Sequence, residues 1–386
     1  MGEDGAAPSE EHMSTPDLQY GIDAAAIERQ LDELWKQAGE GYEGGVIRAC
    51  ALNLMVYLPD PSQLRAIEDL LADVAASHPC RAILMIADRG AQTAISAWAS
   101  SRCALQPATS KQVCCEQITI SAGGEAIDEM PSAAVQLLLS DLPVYLWWRA
   151  RPTLADSVFK KLVDYSDRVI IDSADFADQS AGLIEMANII SHGSKWTAFS
   201  DLNWARLSAW RALLAGFYDV AANRPYLNSM DCVQIEYGAL EGSAIPARAL
   251  LIAGWLAGRL EWNKESVRRD GDSLSIAFQA PGGRPIRLRL SPSGDPRIEP
   301  GHIAQVTLEV RSGPSAHFKV KRSWDGTRLE TESMLEGSRR PARALDYESR
   351  GDSELLSKEL DILGRDRVYE QAVSSAADLA AAIGAV

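Results

Sequence analysis

Two stretches limit the fold of this 386-residue chain most: "RAILMIADRG" (81–90) and "LPVYLWWR" (142–149) are apolar at successive positions, not at alternate ones. A strand sends neighbouring side chains to opposite faces, so a strand apolar on both faces has to be covered on both. In the second stretch Leu142, Val144, Leu146 and Trp148 share one face and Pro143, Tyr145 and Trp147 the other, which predicts a central strand. Helical patterns lie between such runs. Residues 23–39 place Ile27, Leu31, Leu34 and Trp35 on one side, and 61–79 open with Pro and Ser before Leu64, Ile67, Leu70, Leu71 and Val74. Strands over 46–60, 93–104 and 112–121, a helix in "AIDEMPSAAVQLLLS" (126–140), a further helix and the strand "RVIIDS" (168–173) continue the alternation. That is the pattern of a largely parallel, Rossmann-like sheet.

From about residue 223 the pattern changes. A strand at 230–237 and a helix at 243–261 precede turn-punctuated strands in "LSIAFQ", "PIRLRLS", "HIAQVTLEVRS", "HFKVKRS" and "RLETES". These predict an antiparallel meander, and helices near 352–362 and 366–383 close the chain. The expected fold class is α/β followed by α+β. The expected division is a disordered acidic tail at 1–22, an α/β domain at 23–222 and an α+β domain at 223–386.

Lys and Arg number 38 against 53 Asp and Glu, a formal charge of −15, which argues against nucleic acid or an anionic membrane as partner. No apolar run is long enough for a membrane span, and "MGEDGAAPSEEHMSTPDLQYG" lacks the features of an export signal. A cytoplasmic protein with reduced thiols is expected. Its six cysteines (Cys50, Cys80, Cys103, Cys114, Cys115 and Cys232) have no zinc-site spacing, and its five histidines show no paired metal spacing.

Catalytic and cofactor motifs are missing: there is no G-x-G-x-x-G after a strand, no phosphate-binding G-x-x-x-x-G-K-[ST], no H-E-x-x-H and no G-x-S-x-G. "GDSL" (271–274) looks like an esterase block but runs straight into the strand "LSIAFQ", so it reads as a hairpin turn with Ser273 starting the strand. What remains is a polar edge. Arg149 and Arg151 follow the strand at 142–149, Asp172 and Ser173 end the next, and Asp88 and Arg89 end another. Ligands and partners gather at the carboxyl edge of open α/β sheets, although such charges also pair with one another. In "SDLNWARLSAWRALLAGFYD" (200–219) Asp201 is a plausible helix cap. One half of that helix is large and apolar and the other small, which predicts cover on both sides. Asn203, Arg206 and Arg211 project by the apolar arc, where each arginine needs a partner; Asp172, Asp175 and Asp141 are the nearest acids by position.

"SDLPVYLWWRARP" (140–152), "RVIIDSADF" (168–176) and "SDLNWARLSAWRALLAGFYD", in this order and spacing, resemble the glucose-6-phosphate dehydrogenase assembly protein (OpcA) family. The resemblance concentrates in 140–219, and element order extends it over roughly 45–380. It implies a cytoplasmic, non-catalytic effector without cofactor or metal. Such a protein promotes oligomeric assembly and activation of glucose-6-phosphate dehydrogenase, supporting the oxidative pentose phosphate pathway and NADPH supply. No catalytic residues carry over. Trp148, Arg149, Arg151, Asp172, Ser173, Asp201, Asn203, Trp204, Arg206, Trp210 and Arg211 therefore stand as a candidate interface or structural cluster. Two other readings stay open: an enzyme acting on a sugar phosphate, with the arginines as clamps and Asp172 as acid or base, or a regulatory module with a sugar-phosphate ligand. Photosynthetic members are associated with redox control through C-terminal cysteines. This chain has none after Cys232, so a thiol switch of that kind is not expected.

Overall fold

The structure, a computed structural model, describes residues 22–40, 46–48, 50–106, 111–193, 196–347 and 351–385. The tail expected at 1–22 lies outside them except for Ile22. The first sheet consists of β1 (Val46–Arg48), β2 (Leu52–Leu58), β3 (Cys80–Asp88), β4 (Ala94–Gln106), β5 (Lys111–Gly123), β6 (Val144–Trp148), β7 (Arg168–Ile171) and β8 (Ala198–Asp201). Its order is β1-β5-β3-β2-β6-β7-β8, with β4 on the other side of β5. Only β4 runs antiparallel to its neighbour; the other pairings are parallel. The single strand expected over 46–60 is two strands. β1 bonds to β5 and β2 bonds to β3 and β6, and one straight strand cannot reach both places.

Helices α1 (Ala24–Glu40), α2 (Leu64–Ser77), α3 (Met130–Gln136), α4 (Ser157–Asp164) and α5 (Gln179–His192) accompany this sheet. Asp156 caps α4 by accepting from Val158 and Phe159, and Asp178 caps α5 by accepting from Ala181. Strands β2 and β3 are buried along nearly their whole length, as their uninterrupted apolar sequence requires. One face, with Met55, Ile83, Leu146 and Val169, packs on Leu31, Met130, Phe159 and Leu183. The other, with Leu54, Leu84, Trp147 and Ile170, packs on Ile67 and Leu71 of α2. Leu355, Leu356 and Leu360 complete that second face, brought from almost the far end of the chain.

After β8 come α6 (Leu202–Arg206), α7 (Ser208–Gly216) and α8 (Arg224–Leu227). The second sheet is built from β9 (Cys232–Tyr237), β10 (Asn263–Asp270), β11 (Ser273–Ala280), β12 (Arg284–Pro292), β13 (Ile303–Val310), β14 (Ala316–Arg322), β15 (Arg328–Leu335), β16 (Ser338–Arg339) and β17 (Ala344–Asp346). Its order is β10-β11-β12-β9-β13-β14-β15-β16, with β17 also on β15. The meander is therefore two antiparallel runs joined through β9, which lies parallel to β12. Burial alternates along β11 and β15, so this sheet is covered fully on one face only. Gly271, at φ +58°, sits in the tight β10–β11 turn, and Ser273 begins β11: the "GDSL" stretch is a hairpin.

Three helices finish the molecule: α9 (Ala247–Arg259), α10 (Asp352–Leu360) and α11 (Arg367–Ile383). Helix α9 is buried on nearly every side, and α11 crosses it at Gly254. A Cβ at Gly254 would sit 2.5 Å from the Ala372 carbonyl oxygen and 2.6 Å from the Ala376 nitrogen, so only glycine allows this approach. Gly254→Ala is expected to lower the melting temperature. The roughly 1 kcal/mol that alanine adds to helix propensity is outweighed by overpacking of about 1–3 kcal/mol or more. An unchanged or raised melting temperature would show that the helices separate at little cost.

Candidate functional site

The carboxyl ends of β6, β7 and β8 lie side by side, because these strands are parallel neighbours. Trp147 and Trp148 leave β6 on opposite faces, and each enters a different core. Trp148 is 1% exposed, stacks on Tyr57 at 3.8 Å between ring centroids and meets Phe159 at 4.9 Å. It is a core residue and not an edge of the polar cluster, which corrects the sequence expectation: its ring has two aromatic partners and no polar one. Arg149 turns back over the Trp147 ring at 4.9 Å and stands 3.9 Å from Asp175. Arg151 is exposed and stays outside the cluster. Asp88 accepts from the Gly90 N–H in its own turn, and Arg89 reaches Asp156 at 3.5 Å, so that edge is locally tied.

The buried centre forms around Asp201, the last residue of β8. Its Oδ1 accepts the backbone N–H of Ser173 at 3.0 Å and of Asn203 at 2.9 Å, the second bond being the cap of α6. Asn203 in turn donates to the Ser173 hydroxyl at 3.0 Å and accepts from Arg248 Nε at 2.6 Å. Beside it, Asp172 takes Arg206 through both oxygens, at 2.9 and 2.7 Å, and Asp352 binds the same guanidinium at 2.8 Å. Of the acids near in sequence, Asp172 and Asp175 find arginines, whereas Asp141 is exposed with φ +65° and takes no place here.

The helix expected after the Asp201 cap does begin at Leu202 but is not continuous, since α6 and α7 break at Leu207. The break separates the aromatic residues. Trp204 donates to Asp366 at 3.0 Å and lies 5.9 Å from the Tyr369 ring, while Trp210 meets Tyr347 edge-on at 6.4 Å. Arg211 has no carboxylate within ion-pair distance among the described residues. It stacks 3.3 Å over Trp204 and donates to Ser208 at 3.2 Å, and burial pulls its pKa down to about 10 against the opposing charges of Asp366 and Glu359. The cover expected on both sides of this helix is incomplete, since Ser208, Ala212 and Ala215 are exposed.

Between this edge and the second sheet opens a cleft of about 570 Å³, lined by Arg206, Arg248, His302, Arg322 and Tyr347 with carboxylates at its margin. Arg248, His302, Arg322 and Asp352 were not singled out from sequence. Arg248 did carry a signal: it is the only charge in "ARALLIAGWLAG" (247–258), a stretch apolar enough to be fully buried. The other three come from distant segments and carry none.

Two family models match. One, described as a glucose-6-phosphate dehydrogenase subunit N-terminal domain, matches residues 72–188; the other, described as the C-terminal domain of the same subunit, matches 197–373. Together they cover well over half of the chain. The chain belongs to the OpcA family. An OxPP cycle protein OpcA from Nostoc punctiforme is 29% identical over 317 residues, covering 80% of this chain and 66% of that protein. Its namesake from Synechocystis sp. is also 29% identical over 317 residues, covering 78% and 63% respectively. The matched part thus spans just under two thirds of these two relatives. Among solved structures, an oxidoreductase from Sinorhizobium meliloti aligns at 12% identity with a TM-score of 0.40, over 87% of this chain and 90% of that one. At that score the likeness carries no argument. No described helix of this OpcA-family chain is long and apolar enough to cross a membrane.

The Asp201 carboxyl has a pH signature. Its pKa is raised from 3.8 to about 7, first by burial and then by the Asp172 charge, against the hydrogen bonds from Ser173 and Asn203. A carboxyl whose folded pKa exceeds its unfolded value holds its proton more tightly when folded. Its contribution is present in acid and is lost as pH rises from about 4 to about 7, by at most about 4 kcal/mol. Both hydrogen bonds end on Oδ1, while Oδ2 is buried without a partner, so asparagine can keep the cap and place its amide where Oδ2 lies. Asp201→Asn is expected to lose less stability than the parent between pH 5 and pH 8 and to be the more stable of the two at pH 8. Parallel melting curves would refute this.

Proposed function

We propose that this chain is a non-catalytic effector that binds glucose-6-phosphate dehydrogenase in the cytoplasm and promotes its oligomeric assembly and activation. It thereby supports the oxidative pentose phosphate pathway and NADPH supply. The observation that carries this reading is the pair of family matches, both described as domains of a glucose-6-phosphate dehydrogenase subunit. The chemistry of the sheet edge supports it. Asp172, the acid or base of the enzyme reading, accepts two bonds from Arg206, which a second carboxylate also holds. A general base needs its lone pairs free to face a substrate proton.

An effector shifts an equilibrium only by the difference in its affinity for the two states. Taking a dehydrogenase from about 1% to about 99% active needs about a ten-thousand-fold preference for the active assembly. The decisive measurement is dehydrogenase activity and oligomer size with and without the purified chain. Activity is expected to rise in its presence, and the chain alone is expected to turn over no sugar phosphate. Turnover by the chain alone, abolished in Asp172→Asn, would replace this reading with the enzyme one.

Arg149 and Arg151 mark the edge offered to the partner. Arg149 is only 17% exposed, lies over the Trp147 ring and stands 3.9 Å from Asp175, so its side chain also packs, whereas Arg151 is exposed. The change Arg151→Ala is therefore expected to leave the melting temperature nearly unchanged and to shift the activation titration to higher concentration. Full activation at the parent concentration would remove this edge from the interface.

A further inference from the structure

The 570 Å³ cleft is lined by three arginines and six carboxylates, and the arginines differ in how they are held. Arg206 is neutralised by Asp172 and Asp352, but Arg248 and Arg322 are not so matched. Among the described residues, Arg248 donates to Asn203, and Arg322 donates to the Ile303 carbonyl at 2.9 Å and lies near His302 and the Tyr347 hydroxyl; all of these partners are neutral. Arg248 is only 9% exposed. A guanidinium does not shed its proton, so two of them face the cavity charged and, among the described residues, with no carboxylate within ion-pair distance. Burial first, then Arg248, Arg322 and Arg206, depress the His302 pKa to about 3, while the Glu299 carboxylate stands 3.1 Å from its Nδ1. The neutral ring adds a polar group to the wall without adding charge.

The rest of the lining is of opposite character. Asp175, Glu299 and Asp346 carry carboxylates on the cleft margin, and Tyr347 supplies a ring with Arg322 4.7 Å above it. Guanidiniums bind phosphate through paired N–H groups, whereas carboxylates accept from hydroxyls and repel additional negative charge. We propose that the cleft binds a small phosphorylated polyol, with its phosphate on Arg248 and Arg322 and its hydroxyls on the carboxylate margin. The volume lies in the range of small-molecule sites and suits a hexose monophosphate. The carboxylates count against nucleotides and bisphosphates. The assignment concerns the isolated chain and holds whether or not the dehydrogenase is its partner.

Calorimetric titration of the full chain with glucose 6-phosphate, inorganic phosphate, glucose and ATP tests it. Glucose 6-phosphate is expected to bind one to one. Phosphate should compete at least tenfold more weakly, and glucose and ATP should not bind. Arg322→Met, which breaks no ion pair among the described residues, is expected to weaken glucose 6-phosphate binding at least tenfold. In the unaltered protein the same ligand should protect Arg248 and Arg322, but not the exposed Arg268, from phenylglyoxal as read by mass spectrometry. That readout stands even if the variant does not fold. No heat together with no protection would overturn the proposal, as would unchanged binding by a folded Arg322→Met. Glucose binding as tightly as its phosphate would remove the arginines from the site. ATP binding, or inorganic phosphate binding as tightly as the ester, would remove the polyol.

Discussion

The arrangement of the two sheets depends on one buried chain of hydrogen bonds that runs from Asp201 through Asn203 to Arg248. Asp201 and Ser173 close the carboxyl ends of neighbouring parallel strands, Asn203 begins α6, and Arg248 belongs to the helix packed under the second sheet. Asn203 is fully buried and Arg248 nearly so. Polar groups withdrawn from water lose about 1–3 kcal/mol each when left unmatched. The Arg248–Asn203 bond is the link of this chain of bonds that crosses between the two sheets, so sliding one past the other would leave both of its buried groups unmatched. The unpartnered oxygen of Asp201 is the exception in this network, and it makes the joint between the sheets sensitive to proton concentration.

The edge of the parallel sheet consequently has a closed part and an open part. Around Asp172 and Asp201 the charges and caps satisfy one another, as in a structural joint. A little further out, Arg151 is exposed, and the cleft presents Arg248 and Arg322 on neutral hydrogen-bond partners. The contact proposed for a partner protein and the site proposed for a small anion thus have separate places in the fold, although Asp175 belongs to both, near Arg149 and on the cleft margin.

Much of this was legible from sequence because burial demand leaves a linear trace. The unbroken apolar run of β3 and the two-sided pattern of β6 require a sheet covered on both faces, and the alternation in β11 and β15 requires one covered on one. Short or polar elements leave no such trace. Strand β8 is four residues long, and β10 reads "NKESVRRD" because its side chains are mostly exposed. The break at Leu207 involves neither proline nor glycine, so nothing local announces it. Trp148 shows the limit at the site: period two correctly sends it away from Trp147, but whether that face is core or cleft depends on Tyr57 and Phe159. The partners of Arg206 divide in the same way. Asp172 is a near neighbour by strand order, whereas Asp352 arrives from a helix almost 150 residues later.

The end of the chain completes the beginning. Leucines of α10 cover one face of the first sheet, the Leu360 carbonyl accepts from Tyr145, Gly364 accepts from Arg168, and Asp366 holds Trp204. A ribosome delivers those residues after the whole of the first sheet. Until they emerge, every strand of the first sheet has been synthesised, yet one of its faces is bare and several buried polar groups are unmet. In the usual order the leading half of a protein folds while the trailing half is still being made, and here that half would do so with one sheet face uncovered. A product that stops short of α10 exposes a broad apolar face for chaperones and proteases to recognise, so the closing helices also act as a seal that distinguishes finished chains from unfinished ones.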